Sequence, residues 1–143
     1  MLAAEELKAS IEQHLARKNY SVEANVLDSP PPGYDAWSRV SFKKRGAEVG
    51  WALLLFRSDD TIVFDHLRMT EAEQKKGMYK HLAKTFPEFA REHGYTHLET
   101  TTPEDHFGYQ IHLKAGWYVT DNENVLRATT HEGCPLEKYA AGK

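Results

Sequence analysis

The sequence predicts an α/β domain in which a mostly antiparallel sheet is flanked by helices. Three observations carry that expectation. Residues 36–42, 49–56 and 61–69 form three short runs rich in aliphatic and aromatic side chains, and the polar turns KKRG and RSDD that join them suit hairpins. Two helical segments then bracket one further strand at 95–101. Between the two halves lies the basic turn EQKKGMYKHL, 73–82, which carries the chain from the third run straight into a helix.

Each element follows from its residues. Leu7, Ile11 and Leu15 recur every four residues across 3–18, marking an amphipathic helix with a solvated polar face that stops near Asn19. Residues 21–27 alternate as a strand does, and SPPPG at 29–33 is a loop. The helix after Gly77 holds Pro87, which removes the hydrogen bond its N–H would give to Ala83 and predicts a bend or break there. Phe86, Phe89 and Ala90 continue the apolar stripe, so both halves are expected on the same sheet, ending at Gly94. The next helix is expected to start at Asp105, a good N-cap, and to run to Gly116 with Ile111 and Ala115 on one face and Tyr109 and His112 on its neighbour. Residues 117–120 and 125–129 flank DNEN as a hairpin, and no repeat, low-complexity tract or linker divides the chain, so one domain over 1–143 is expected.

Composition narrows the function classes. At 143 residues such a domain buries roughly two thirds of its unfolded surface. A hydrophobic fraction of 41%, a charged fraction of 27% and a net charge of −3 provide no cationic excess for nucleic acid. The longest apolar run, 49–56, is too short for a bilayer, so no membrane partner is expected. One cysteine, Cys134, cannot form an internal disulfide, and the acidic N-terminal stretch does not read as a signal peptide, which predicts a reducing, cytoplasmic setting. The eight histidines are scattered and Cys134 has no CxxC partner, so no metal is expected. Trp37, Trp51, Phe56 and Trp117 read as core.

The turn at 73–82 is suited to an anion. Gly77 allows close backbone approach, and the first turn of the following helix offers N–H groups with no intrahelical acceptor. With the positive end of the helix dipole and the cations Lys75 and Lys76, these donors suit a phosphate or pyrophosphate; the plainer alternative is a solvated helix start.

Gln74, Lys75, Lys76, Gly77, Met78 and Tyr79, followed by DHFGYQIHLKAGW at 105–117, resemble in order and spacing the two landmarks of the Gcn5-related N-acetyltransferase (GNAT) superfamily. The first landmark is Gln or Arg, two residues, Gly, one residue, then Gly or Ala, and only Tyr79 departs from it. In the second, Asp105 stands for Asn and His112 for Tyr, while Ile111, Lys114, Gly116 and Trp117 match. The resemblance spans 49 to about 128. It implies a mixed, mostly antiparallel sheet splayed where acetyl-CoA enters, and transfer of the acetyl group to a primary amine by direct attack. It also implies that backbone groups around Lys75, Gly77 and Tyr79 hold the pyrophosphate and that those of Leu67 and Met69 bond the pantetheine arm. Gln74, Lys76, Met78 and Asp105 complete the implied cofactor set, and Tyr79 fits if its ring turns away from the phosphates.

Acetyl transfer needs a neutral amine, a polarised thioester carbonyl and an expelled thiolate. The family draws its base from the strand before the turn or from the next one. Asp65 stands two and four residues before Leu67 and Met69, hence on their face if no bulge intervenes, and Glu99 is the matching acid on the following strand. Either takes a proton through a water, or is a structural carboxylate. His112 occupies the position of the family's general acid, where an imidazolium would protonate the sulfur, and Tyr109 one turn earlier is a second candidate.

The resemblance does not choose the amine acceptor, small molecule or protein. The N-terminal third, which generally builds that cleft, departs from the family by beginning with a helix; the surplus of 21 acids over 18 bases is compatible with a cationic amine. Many members pair their sheets, so a homodimer is a further expectation. The replacements at Tyr79, Asp105 and His112 also fit a different class, a catalytically inactive module that binds acyl-CoA or serves in protein interaction or structure.

Overall fold

The computed structural model describes residues 3–17, 20–70 and 77–142. Helix α1 (Ala4–Leu15) is followed by β1 (Ser21–Val26), β2 (Tyr34–Lys44), β3 (Ala47–Arg57) and β4 (Thr61–Met69). Helix α2 (Met78–Glu92) crosses to β5 (His97–Thr101), and α3 (Phe107–Ala115), β6 (Tyr118–Val119), β7 (Val125–Thr129) and α4 (Pro135–Ala140) follow. The seven strands make one mixed sheet in the order β1-β2-β3-β4-β5-β7-β6. Every neighbouring pair is antiparallel except β4 with β5, the pair that α2 connects.

Local chemistry explains the meander. Between Lys44 and Ala47, which pair across β2 and β3, Arg45 and Gly46 both take positive φ (53° and 80°), the backbone of a tight two-residue hairpin. Alternation along β3 sorts its residues: Ala52, Leu54 and Phe56 are fully buried, whereas Trp51, Leu53 and Leu55 are half-buried on the other face. The buried face packs under Leu7, Ile11 and Leu15 of α1 and under Leu82, Phe86 and Phe89 of α2. Phe89 meets Phe56 edge-on at 6.2 Å and His14 of α1 at 5.7 Å, tying both helices to the sheet.

Three sequence expectations change. Pro87 neither breaks α2 nor ends it: the helix runs unbroken to Glu92 with the proline ring buried in its packed face, so tertiary burial outweighs one missing hydrogen bond. Asp105 is not the N-cap of α3; His106 is, its ring nitrogen accepting the Gly108 N–H at 3.0 Å while Asp105 stays exposed in the preceding turn. Trp37 and Trp51 are not core. They lie half-buried on the second face of the sheet, Trp37 donating to the Asp28 carbonyl at 2.8 Å and Trp51 under the Arg39 guanidinium at 4.9 Å. Helix α4, begun by Pro135 after the buried Cys134, is an element for which the sequence reading has no expectation.

Candidate active site

The parallel pair opens soon after it forms. Strands β4 and β5 are in register only at Thr61 with His97, Ile62 with Leu98 and Val63 with Glu99. At the parting, the buried Thr100 hydroxyl donates to the Phe64 carbonyl at 2.9 Å, a side chain taking over from the ladder. Beyond it β4 continues to Met69, paired to β3 alone, so its other backbone edge faces the opening. Such an edge matches an extended chain that carries amides.

On the β3 side β4 carries a bulge. Arg68 pairs with Trp51 and Asp65 with Leu53, leaving His66 and Leu67 opposite the single residue Ala52. The bulge corrects the expected alternation: Asp65 shares a face with Arg68, while Met69 falls in register with Gly50, out of step with Asp65. What β4 presents at the opening is therefore irregular backbone, with Asp65 just before the irregularity.

At the same end of the sheet stands the start of α2. Gly77 is its N-cap, at φ 80° and ψ 9°, a left-handed conformation in which an L side chain is strained. Among the described residues no side chain caps the helix there, and its first turn holds no acid. The first intrahelical bond runs from the His81 N–H to the Gly77 carbonyl at 3.1 Å, so the amides of Met78, Tyr79 and Lys80 have no acceptor within the helix. Gln74, Lys75 and Lys76 lie outside the described residues.

Tyr79 turns inward. Its ring packs at 6.0 Å from that of Tyr139 in α4 and at 5.4 Å from His112 in α3, and its hydroxyl lies 2.6 Å from His112 Nδ1. Burial raises the phenol pKa, opposed by a hydrogen bond from the Trp117 side chain. Burial, helped by the charge of His106, lowers His112 to about 4. Near neutral pH the phenol is therefore protonated and the imidazole neutral, and the two share a hydrogen bond at Nδ1 whose donor is set by the ring tautomer. An imidazolium at His112 is not the resting form of this site. Tyr109 is committed elsewhere: it is buried, and its hydroxyl donates to the Glu123 carbonyl at 2.9 Å.

Glu99 sits at the last paired position of β5 and is the hub of an ion cluster. Both its oxygens accept from Arg57, at 2.8 and 3.0 Å, and Arg127 lies 3.8 Å away while donating to Thr61 at 3.1 Å. Its residue-level surroundings are those of a structural carboxylate. A cavity of about 450 Å³ opens at the opposite end of the sheet, lined by Leu7, Asp35, Phe56, Asp60 and Tyr95 among others. Burial, with Asp35 and Asp60 adding to it, pushes the Tyr95 phenol up to about 12, but none of the sequence-predicted site residues among the described ones lines this cavity.

One residue at the α2 start has no signal in the sequence. The Arg17 guanidinium, from just beyond α1, lies against Gly77, with Nη2 3.4 Å from where a Cβ on that glycine would stand.

No protein-family model matches this sequence, and no curated protein does. Solved structures do. A GNAT family acetyltransferase from Elizabethkingia anophelis with acetyl-CoA bound is 16% identical, over 78% of this chain and 98% of that one, with a TM-score of 0.59. Ard1 from Thermoplasma volcanium is 14% identical over 66% of this chain and 71% of its own, with a TM-score of 0.56. PaiA N-acetyltransferase from Thermoplasma acidophilum in complex with coenzyme A is 13% identical over 62% and 58%, with a TM-score of 0.55. Identities this low speak for architecture and not for chemistry. The parted parallel pair, the glycine-capped crossover helix and these likenesses together give one result: the chain has the fold of the Gcn5-related N-acetyltransferase superfamily.

Proposed function

We propose that this protein is an acyl-CoA-dependent N-acetyltransferase that moves an acetyl group from acetyl-CoA to a primary amine. The observation that carries the reading is the opening between β4 and β5, with a helix start at its rim whose first turn holds no acid and whose first amides have no acceptor within the helix. Two of the fold's solved relatives hold acetyl-CoA or coenzyme A. In this reading the free edge of β4 at Leu67 and Met69 bonds the amides of the pantetheine arm, and the α2 start from Gln74 through Tyr79 receives the diphosphate.

The acceptor nitrogen attacks the thioester carbonyl, the C–S bond breaks, and the nitrogen's proton passes to a base while the sulfur leaves as thiolate. Asp65, beside the β4 bulge and past the point where β4 parts from β5, is the better placed of the two carboxylates; Glu99 lies on the last paired rung, bound to Arg57. The thiolate departs at a cost of only about 2 kcal/mol near neutral pH, given a thiol pKa near 8.5, so an imidazolium is not required. In the tautomer in which Tyr79 donates to Nδ1, a neutral His112 carries its proton on Nε2 and offers a donor to that sulfur.

A second reading has its own support. Tyr109 is spent on the Glu123 carbonyl and His112 Nδ1 on Tyr79, which also suits a module that binds acyl-CoA without turnover. Melting the protein with acetyl-CoA separates these readings from everything else, because a site filled to a hundred times its Kd adds about 2.7 kcal/mol. Thiol release across a panel of amines then separates enzyme from sensor. A melting curve unmoved by millimolar acetyl-CoA defeats both.

A further inference from the structure

We propose that Thr100 is a positioning residue of the acyl-CoA cleft: its hydroxyl, donating to the Phe64 carbonyl, stops β4 and β5 from pairing further and fixes the inner end against which the acyl group is held. The inference rests on the acyl-CoA reading above and adds to it a residue that lies outside both sequence landmarks. In that reading the diphosphate sits at the start of α2 and the pantetheine arm runs back along β4 from Met69, so the acyl group arrives where the two strands part.

The hydroxyl stands in for a backbone donor. Immediately before β4, the Asp60 carbonyl accepts the Thr96 and His97 amides at 2.9 and 3.3 Å, and a period of two returns a carbonyl to that same edge at Ile62 and again at Phe64. A parallel ladder continued past the rung of Val63 with Glu99 would give the Phe64 carbonyl the amide of Thr101. Pairing stops at that rung instead, and Thr100 Oγ1 supplies the donor at 2.9 Å.

Burial gives that bond its weight. Thr100 and Phe64 are both buried, Thr100 in register with the fully buried Leu126 of β7 and the Phe64 ring 4.1 Å from that of Phe86 in α2. A buried carbonyl needs a donor, and a hydroxyl in an apolar setting is tolerated when it is bonded. Valine has the same shape without the hydroxyl, so the bond is what distinguishes threonine here. Each strand is also held from its outer side: β4 pairs with β3 as far as Met69 opposite Gly50, and β5 pairs with β7 as far as Thr101 opposite Val125, after which the Thr102 amide donates to the Asn124 carbonyl at 2.7 Å. The cleft is therefore open before a ligand enters, and the Thr100–Phe64 bond marks its inner end. A preformed end holds a reacting group in place without first having to be ordered.

The experiment compares the wild-type protein with Thr100→Val, Thr100→Ala and Thr100→Ser, each melted without ligand and then titrated by calorimetry with acetyl-CoA and with adenosine 3′,5′-bisphosphate, which carries the nucleotide end alone. Thr100→Val and Thr100→Ala are expected to weaken acetyl-CoA by about tenfold and to leave the bisphosphate unchanged. Thr100→Ser keeps the donor and is expected to stay within about twofold of wild type. Acetyl-CoA binding equal to wild type in Thr100→Val overturns the inference and leaves the acyl-CoA reading intact. A serine variant as weak as the valine one assigns the effect to shape and overturns it too, and an equal loss for both ligands reduces Thr100 to a structural role. Should Thr100→Val fail to fold, alanine against serine decides in the same way. If wild type does not bind acetyl-CoA, the acyl-CoA reading falls and this inference with it.

Discussion

At the scale of single residues, His112 shows how burial changes a role that the family resemblance implies. The resemblance gives it the place of a proton donor, yet packing against Tyr79 and Trp117 leaves it neutral, with a pKa of about 4. The consequence is a stability that depends on pH with a definite sign. The unfolded chain takes up a proton near pH 6.5 that the folded chain does not accept until about pH 4. Stability is therefore complete above pH 6.5 and is lost as pH falls through that window, by up to about 3 kcal/mol from this residue. Burial lowers His93 and His97 as well, which gives the same sign. Urea denaturation at pH 7 and pH 4.5 is expected to show the loss in wild type and a distinctly smaller one in His112→Phe; equal losses would mean that the imidazole is solvated.

At the scale of elements, the decisive contacts are where one helix ends on another. Helix α3 closes at Gly116, in a left-handed conformation (φ 114°), and α4 packs directly onto that glycine. A Cβ there would stand 2.5 Å from Pro135 Cβ and 3.1 Å from its carbonyl carbon. Gly116→Ala is expected to cost about 3 kcal/mol, combining left-handed strain with overpacking. Gly94→Ala, at φ 83° with open space around its Cβ, serves as the control and is expected to cost about 1 kcal/mol. Denaturant midpoints for the two variants check this, and similar shifts would show that α4 yields. The other end of the sheet is guarded by α1. Lys8 donates to the Ala24 carbonyl at 2.9 Å and Glu12 accepts the Ala24 N–H at 3.0 Å, so the outermost strand has its backbone groups occupied there.

At the scale of the whole molecule, the sheet is locked at one end and open at the other. The Arg57–Glu99–Arg127 cluster sits on the last paired rung of β4 and β5, below the point where they part. This division of labour is testable with two conservative substitutions. Glu99→Gln is expected to lower the melting temperature, with about 1–3 kcal/mol lost because Arg57 and Arg127 are left with a weaker partner, and to change kcat little once folded. Asp65→Asn is expected to lower kcat by at least tenfold. A kcat loss in Glu99→Gln with unchanged melting would reverse the assignment of the base.

What the residues alone established is what neighbours along the chain can encode. Period-two runs and a period-four stripe through Leu7, Ile11 and Leu15 were enough for the strands and the first helix, and two spaced landmarks were enough for the superfamily fold. Register and burial were decided only in three dimensions, because they depend on partners far away in sequence. The bulge at His66 and Leu67 arises from pairing with β3, and it takes Asp65 out of step with Met69. Tyr79 reaches His112, Arg57 reaches Glu99 and Arg17 reaches Gly77 only once the sheet brings their elements together, and no local pattern announces such meetings. Pro87 makes the same point from the opposite side: its local rule is sound, but a well-packed helix face outweighs a single hydrogen bond.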